Sequence, residues 1–554
     1  MRGRQVFMES LLAHGADTIF GNPGTTESPL IDSLLDYKQM RYIVALHEGV
    51  ATGAASFYAQ ATGKTAIVNL HVAPGLGNAV GAIYGGLKAN SPMIVTAGAQ
   101  DTRMRLRDPL LGHDLPSIAA PVTKWSVQVE RADEMAPILR RAFKIANDPP
   151  AGPVFVALPI NVMEQETDVG PQGPGALFRA PRPDPAAVEA VARLLLSKRN
   201  PVIVAGDDVG RAGAVQELVA LAETLGAQVW VEGLRHHTNF PNRHPNARGA
   251  VPFDAAAVRK AFDGVDAVLM VGGPFFEEVW YAPGLPFPAG CAVAHLEASH
   301  QRLAYNYTAD AGLIGDVRAG LLAIREAVAR GASDEYRGVA QRRNAALQAL
   351  KESESAAQAD RVRRSWERTP ISMARAMAEI RDGLPPGAIV VDESITANID
   401  LARTFDFSTP GDYYSGRGGG IGQGLAGALG TQVAHPGRPV VCISGDGSSM
   451  YSIQALWTAA HHDLPIVFVI LANREYRVLK HNLDTYRQRF DALSNQGYPH
   501  MDLGGPPLGF LDMARGMGVA GTLVTKGADL AGAVRAAFAT RKPHLIEVAI
   551  EGKR

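Results

Sequence analysis

Short apolar runs alternating with longer stretches of helical period place this chain in the α/β class, as three successive parallel-sheet domains. Three observations carry that expectation. The apolar runs are rich in Val and Ile and bounded by Gly, Pro or Asp, as strands buried on both faces of a parallel sheet should be. A Pro/Gly-rich stretch and, later, a charged helix-forming stretch interrupt the rhythm, so the runs fall into three blocks. With 554 residues, 46% apolar and 20% charged, the composition is globular and the chain too long for a single core.

The first block, residues 1–170, offers TIFG, YIVAL, TAIVNL, PMIVTAG and PVFVALP as strands. GPQGPGALFRAPRPDP, from Gly170 to Pro185, reads as an extended linker. The second block, residues 186–330, holds PVIVAG, QVWVEG, AVLMVGG and AVAHLEA with helices such as VEAVARLLLS between them, a Rossmann-like rhythm. From Asp334 to Arg368 the chain is charged and helix-forming, a connector into the third block, residues 365–554, with AIVVDES, PVVCISGDG, IVFVILAN and HLIEVAI. The first and third blocks share size and strand rhythm, which suggests an internal duplication.

Composition excludes several function classes. Fifty-four basic against 55 acidic side chains leave a net charge of −1, so no global field attracts nucleic acid or an anionic membrane. Cys291 and Cys442 form no C-x-x-C pair, and Cys442 lies in the apolar run VVCI, where a buried thiol is expected. Glu9, His14 and Asp17 break the first apolar segment before a signal-peptide core can form, and no stretch approaches a membrane span. The expected location is the cytoplasm.

The most specific stretch runs from Leu429 to Ser448, LGTQVAHPGRPVVCISGDGS, followed by IVFVILAN ending at Asn473. One strand delivers Gly-Asp-Gly at its carboxyl end and the next delivers Asn473 at its own. Ligands of a parallel sheet sit at those ends, where the following helix offers free N–H groups to phosphate. Magnesium takes hard oxygen ligands and shares them with phosphate; Asp446, the Asn473 amide oxygen and a nearby carbonyl could supply them. Gly445 and Gly447 let the backbone approach closely. G-D-G alone is a common turn; the strand context and the spaced Asn give it meaning.

This segment resembles the thiamine diphosphate fingerprint of the pyruvate decarboxylase, acetolactate synthase and benzoylformate decarboxylase superfamily, though Ala472-Asn473 replaces the usual Asn-Asn pair. FGNPGTTE, YIVALHE, NLHVAPGLGNAVGA, KWS at Lys124 and YSIQALWTAAHHDLP extend the resemblance, which is closest to benzoylformate decarboxylase. It implies pyrimidine-binding, Rossmann-like middle and diphosphate-binding domains of the pyruvate decarboxylase type. It also implies a homo-oligomer with sites shared between chains, a dimer or, preferably, a tetramer.

Residue roles follow by resemblance. Glu48, ending YIVALHE, is the carboxylate that hydrogen-bonds the cofactor's N1′ atom and activates it. Ile421 is the wedge that keeps the cofactor bent, and the Gly419 carbonyl accepts from its 4′-amino group. Thr396, Gly447, Ser448, Tyr451 and Tyr476 match positions around the diphosphate; Asp446, Asn473 and the Glu475 carbonyl match the magnesium ligands. His71 matches a catalytic histidine, suited to protonating carbon after carbon dioxide leaves. Thr25 falls where a serine holds the substrate carboxylate.

The sequence also departs from the pattern. Val279 stands where the benzoylformate enzyme has a second histidine, and His113 is either its substitute or a surface-loop residue. Ser415, His481 and Asn482 replace larger aromatic or apolar neighbours of the substrate ring, and the segment from Asp484 to Leu503 is longer and more polar. Non-oxidative decarboxylation of a 2-oxo acid to carbon dioxide and an aldehyde is the first expectation. An acetolactate synthase-like carboligase and a non-catalytic subunit of the same fold are the alternatives.

Overall fold

The computed structural model describes residues 1–177, 179–492 and 497–552. Phe178 of the expected linker, residues 493–496 of the polar segment and residues 553–554 lie outside these. Among the described residues are three six-stranded parallel sheets. The α/β expectation holds.

The first sheet contains β1 (Thr18–Gly21), β2 (Arg41–Val44), β3 (Ala66–Leu70), β4 (Met93–Ala99), β5 (Ser126–Gln128) and β6 (Pro153–Pro159). Its order is β2-β1-β3-β4-β6-β5. The second contains β7 (Pro201–Ala205), β8 (Gln228–Val231), β9 (Ala247–Ala250), β10 (Ala267–Val271), β11 (Ala292–Glu297) and β12 (Ala311–Ile314), ordered β12-β11-β10-β7-β8-β9. The third contains β13 (Ile389–Glu393), β14 (Tyr413–Ser415), β15 (Val440–Gly445), β16 (Ile466–Ala472), β17 (Ala520–Val524) and β18 (His544–Ala549), ordered β14-β13-β15-β16-β18-β17. The first and third orders are the same, as their shared rhythm suggested. The middle order is that of a doubly wound dinucleotide-binding sheet.

The apolar runs form central strands because both faces are covered. In the second sheet Ile203, Ala205, Leu269 and Val271 enter one core, while Val202, Val204, Val268 and Met270 enter the core on the opposite face. Alternate side chains of one continuous apolar run thus serve two cores.

The chain divides into two compact units, one of Met1–Gly175, Arg364–Thr404 and Ser415–Arg554, the other of Ala176–Arg363 and Phe405–Tyr414. The charged connector is a helix, Asp334–Arg364, with only Ala340 and Leu347 buried. In the first unit the helices Glu48–Thr62 and Gln423–Ala434 pack backbone to backbone; a Cβ at Gly430 would overlap the Ala54 carbonyl. No helix among the described residues is long and apolar enough to cross a membrane.

Candidate active site

In the first sheet the strand order reverses direction between β1 and β3, and the crevice outside their carboxyl ends is where such sheets bind ligands. β1 leads into Asn22–Glu27 and β3 into His71. Glu48, at the foot of its helix beyond β2, is 7% exposed. Its Oε2 accepts from Asn78 Nδ2 at 3.0 Å, and Asn22 Nδ2 stands 3.5 Å from Oε1. His71 precedes the helix Val72–Lys88, and its Nδ1 lies 2.7 Å from Glu27 Oε2.

Glu27 is a site residue that the sequence reading passes over. It is 2% exposed and accepts from the Gly98 N–H at 2.7 Å, the Gly24 N–H at 2.9 Å and the Thr26 hydroxyl at 2.8 Å. A carboxylate so surrounded by donors only accepts, so the His71 hydrogen sits on Nδ1 and Nε2 is the outward nitrogen. The sequence signal was faint, because T-T-E after a Gly looks like an ordinary helix-start cap. Thr25 is exposed in the same turn, and His113 lies on an exposed loop with no hydrogen bond to His71 or Glu48.

The third sheet reverses between β13 and β15, and the expected diphosphate residues gather at those ends. Thr396 is half-buried in the turn Ile395–Ala397 after β13. Asp446 follows β15, 3% exposed, with Oδ1 accepting from the Gly447 N–H at 2.8 Å and Oδ2 from the Arg474 N–H at 2.7 Å. Burial pushes its carboxyl above the usual range, against the pull of those donors and of the Arg474 guanidinium. Asn473 follows β16, its Oδ1 accepting from the Glu475 N–H at 3.1 Å. Arg474 holds a left-handed φ of 61°, and its guanidinium pairs with Glu547 and donates to the Leu508 carbonyl at 2.8 Å.

This end fits a magnesium diphosphate. Its donors are hard oxygens, and the buried Ser394 Oγ beyond β13 and Glu475 Oε1 have no hydrogen-bond partner. Among the described residues no three His, Cys, Asp or Glu side chains group to hold a metal, so a cation would rely on amide, carbonyl and ligand oxygens. Ser448 is buried, Tyr476 packs over Gly447, and Tyr451 is 61% exposed. Gly419, at φ 76°, is exposed and Ile421 half-buried in the glycine-rich loop.

The expected substrate-pocket residues do not all meet. His481 lines a cavity of about 470 Å³ with Asp484, Thr485, Arg487, Gln488, Gly497 and Tyr498, along the helix Arg477–Arg489. Asn482 is half-buried on that helix without lining the cavity, and half-buried Ser415 ends β14. In the second unit Val279 is 61% exposed and donates its N–H to the Phe253 carbonyl at 3.0 Å.

Three family profiles match the chain: "Thiamine pyrophosphate enzyme, N-terminal TPP binding domain" over residues 1–117, the central domain over 188–324 and the C-terminal TPP binding domain over 396–548. A benzoylformate decarboxylase of Pseudomonas aeruginosa is 34% identical over 98% of this chain and 97% of its own length. An acetolactate synthase large subunit of Parasynechococcus marenigrum is 28% identical over 99% of this chain and 87% of its own. A solved structure, the thiamine diphosphate-dependent 4-hydroxybenzoylformate decarboxylase of Rhodococcus jostii RHA1, superposes with a TM-score of 0.86 at 30% identity, each chain covered in full.

Proposed function

The chain belongs to the thiamine pyrophosphate enzyme family, and we propose that it decarboxylates a 2-oxo acid without oxidation, releasing carbon dioxide and an aldehyde. It is an enzyme of the branch that holds such decarboxylases and the related carboligases. The observation that carries the reading is the Glu27–His71 pair, an imidazole whose Nδ1 is held by a buried carboxylate at the carboxyl end of β3. A decarboxylase needs a proton donor there, whereas a non-catalytic subunit does not.

Thiamine diphosphate, when bound, supplies the electron sink that carbon–carbon cleavage requires. The chain's residues do the rest. Glu48, steadied by Asn78, holds the proton at N1′. Asp446, Asn473 and the Glu475 carbonyl hold magnesium, while Thr396, Gly447, Ser448, Tyr451 and Tyr476 surround the diphosphate. Ile421 and the Gly419 carbonyl meet the pyrimidine end. Thr25 receives the substrate carboxylate, and His71, once it has taken a second proton on Nε2 to become an imidazolium that the Glu27 carboxylate stabilises, delivers that proton to the substrate carbon. Of the expected tail contacts only His481 lines a cavity, together with Asp484, Thr485 and Gln488, and these polar groups favour a polar or larger tail over a bare phenyl ring.

A second reading, carboligation, is favoured by Val279. With no histidine at that position, protonation at carbon slows and a second carbonyl can compete. Leu46, two residues before Glu48, at 50% exposed, and Ile399 and Tyr451, at 60% and 61%, are apolar surface that a partner chain would cover. A dimer with paired sites, doubled into a tetramer in the cytoplasm, is the assembly proposed.

The test is to load apo-protein with cofactor and magnesium and follow carbon dioxide and organic product across aromatic, aliphatic and polar 2-oxo acids, with and without an added aldehyde. Glu48→Gln should bind cofactor yet lose most turnover, and Asp446→Ala should lose cofactor binding. Full activity in both variants would overturn the site. Ligation product in place of aldehyde would select the second reading.

A further inference from the structure

Glu393, the last residue of β13, is 6% exposed and took no part in the reading above. Its Oε1 accepts from the N–H groups of Gly422 at 2.7 Å and Gln423 at 2.9 Å. Its Oε2 accepts from the Gly424 N–H at 2.9 Å, with the Ser444 hydroxyl 3.4 Å away. The three amides open the helix Gln423–Ala434 and have no partner within it, and the aligned peptide dipoles favour a negative charge at that spot.

The loop ahead of the helix depends on the same anchor. Gly422 sits at φ 91°, where a Cβ would overlap Tyr451. The Gln423 side chain donates from Nε2 back to the carbonyls of Arg417 at 3.0 Å and Gly420 at 2.7 Å. Gly419 and Ile421 lie within this stitched segment.

We infer that Glu393 is a positioning residue whose carboxylate fixes residues 417–422, so that Ile421 and the Gly419 carbonyl meet the pyrimidine end of the cofactor; this rests on the site reading above. Burial pushes the carboxyl up to about 7, opposed by its three N–H donors. Among the described residues the titratable group facing it is the Cys442 thiol, raised by burial and by Glu393. Protonation removes the charge on which the three amides converge and weakens each bond.

Three measurements test this. Glu393→Gln should weaken cofactor binding about tenfold at about pH 8, the loss of charge-assisted bonds, and flatten its decline towards about pH 6. The variant should also lose, as Ile421→Ala should, the near-ultraviolet circular dichroism that reports the angle between the cofactor rings. In wild-type apo-protein the amides of 422–424 should exchange hydrogen about tenfold faster at about pH 6 than at about pH 8, after correction for intrinsic rates.

Wild-type affinity and dichroism in Glu393→Gln at both pH values would overturn the inference. If that variant does not fold, Glu393→Asp and the wild-type exchange decide, and equal protection at both pH values overturns it. Should Asp446→Ala also bind cofactor like wild type, the site itself is misassigned and the inference falls with it. With Asp446→Ala unable to bind and Glu393→Gln normal, only the inference falls.

Discussion

Glu27 decides what His71 can do. Four polar contacts fix its carboxylate, and the carboxylate fixes the imidazole hydrogen on Nδ1. Glu27→Gln keeps the volume, loses the charge and can present an N–H to the ring instead of an acceptor. Its kcat for decarboxylation should fall about 10- to 100-fold with cofactor Kd unchanged, read by steady-state kinetics beside a cofactor titration. A parallel loss of cofactor binding would mean that Glu27 only holds the fold. The metal-end residues were legible because Asp446 and Asn473 close two apolar runs, so their convergence follows from the sheet. Glu27 and Glu393 were not, because each acts through partners distant in sequence: Gly98 and His71 for one, Gly422–Gly424 for the other. Nothing local marks a carboxylate whose donors arrive from another segment.

Among the elements, every strand that the apolar pattern missed lies at a sheet edge: β5, β9, β12, β14 and β17. An edge strand is covered incompletely and needs no continuous apolar run; β17 is mostly exposed and β9 reads ARGA. β2 is also an edge strand, and the Val44 N–H near its end donates to His462 Nε2 at 2.9 Å. This bond requires a neutral imidazole. Burial, with the charges of His461 and Arg41, pushes His462 down to about 4, against Asp463. Above about pH 6.5 the contribution is fully present. As pH falls from there towards 4, the unfolded chain takes up a proton that the folded chain refuses, so stability declines across that window and no further below it. A denaturation series over pH should show this slope, and His462→Gln should be flatter than wild type; equal slopes would remove His462 from the account.

For the whole molecule, the repeated strand order of the first and third sheets puts the two groups of site residues at equivalent places, the reversal points between β1 and β3 and between β13 and β15. Sequence rhythm made the three-sheet plan legible, but the roles of its ends came from motifs and resemblance. Cofactor and magnesium bound there should stabilise the folded chain, by about 2.7 kcal/mol at a hundredfold excess over Kd. Removing the metal with a chelator should therefore lower Tm in differential scanning calorimetry, and an unchanged Tm would deny the linkage. At Gly430 there is no room even for a methyl group against the Ala54 carbonyl, so a helix packed for closeness has turned a residue without a side chain into a fixed letter. In a saturation scan scored by growth, Gly430 should appear as an empty column as stark as that of Glu48, although it can donate no proton and hold no ligand.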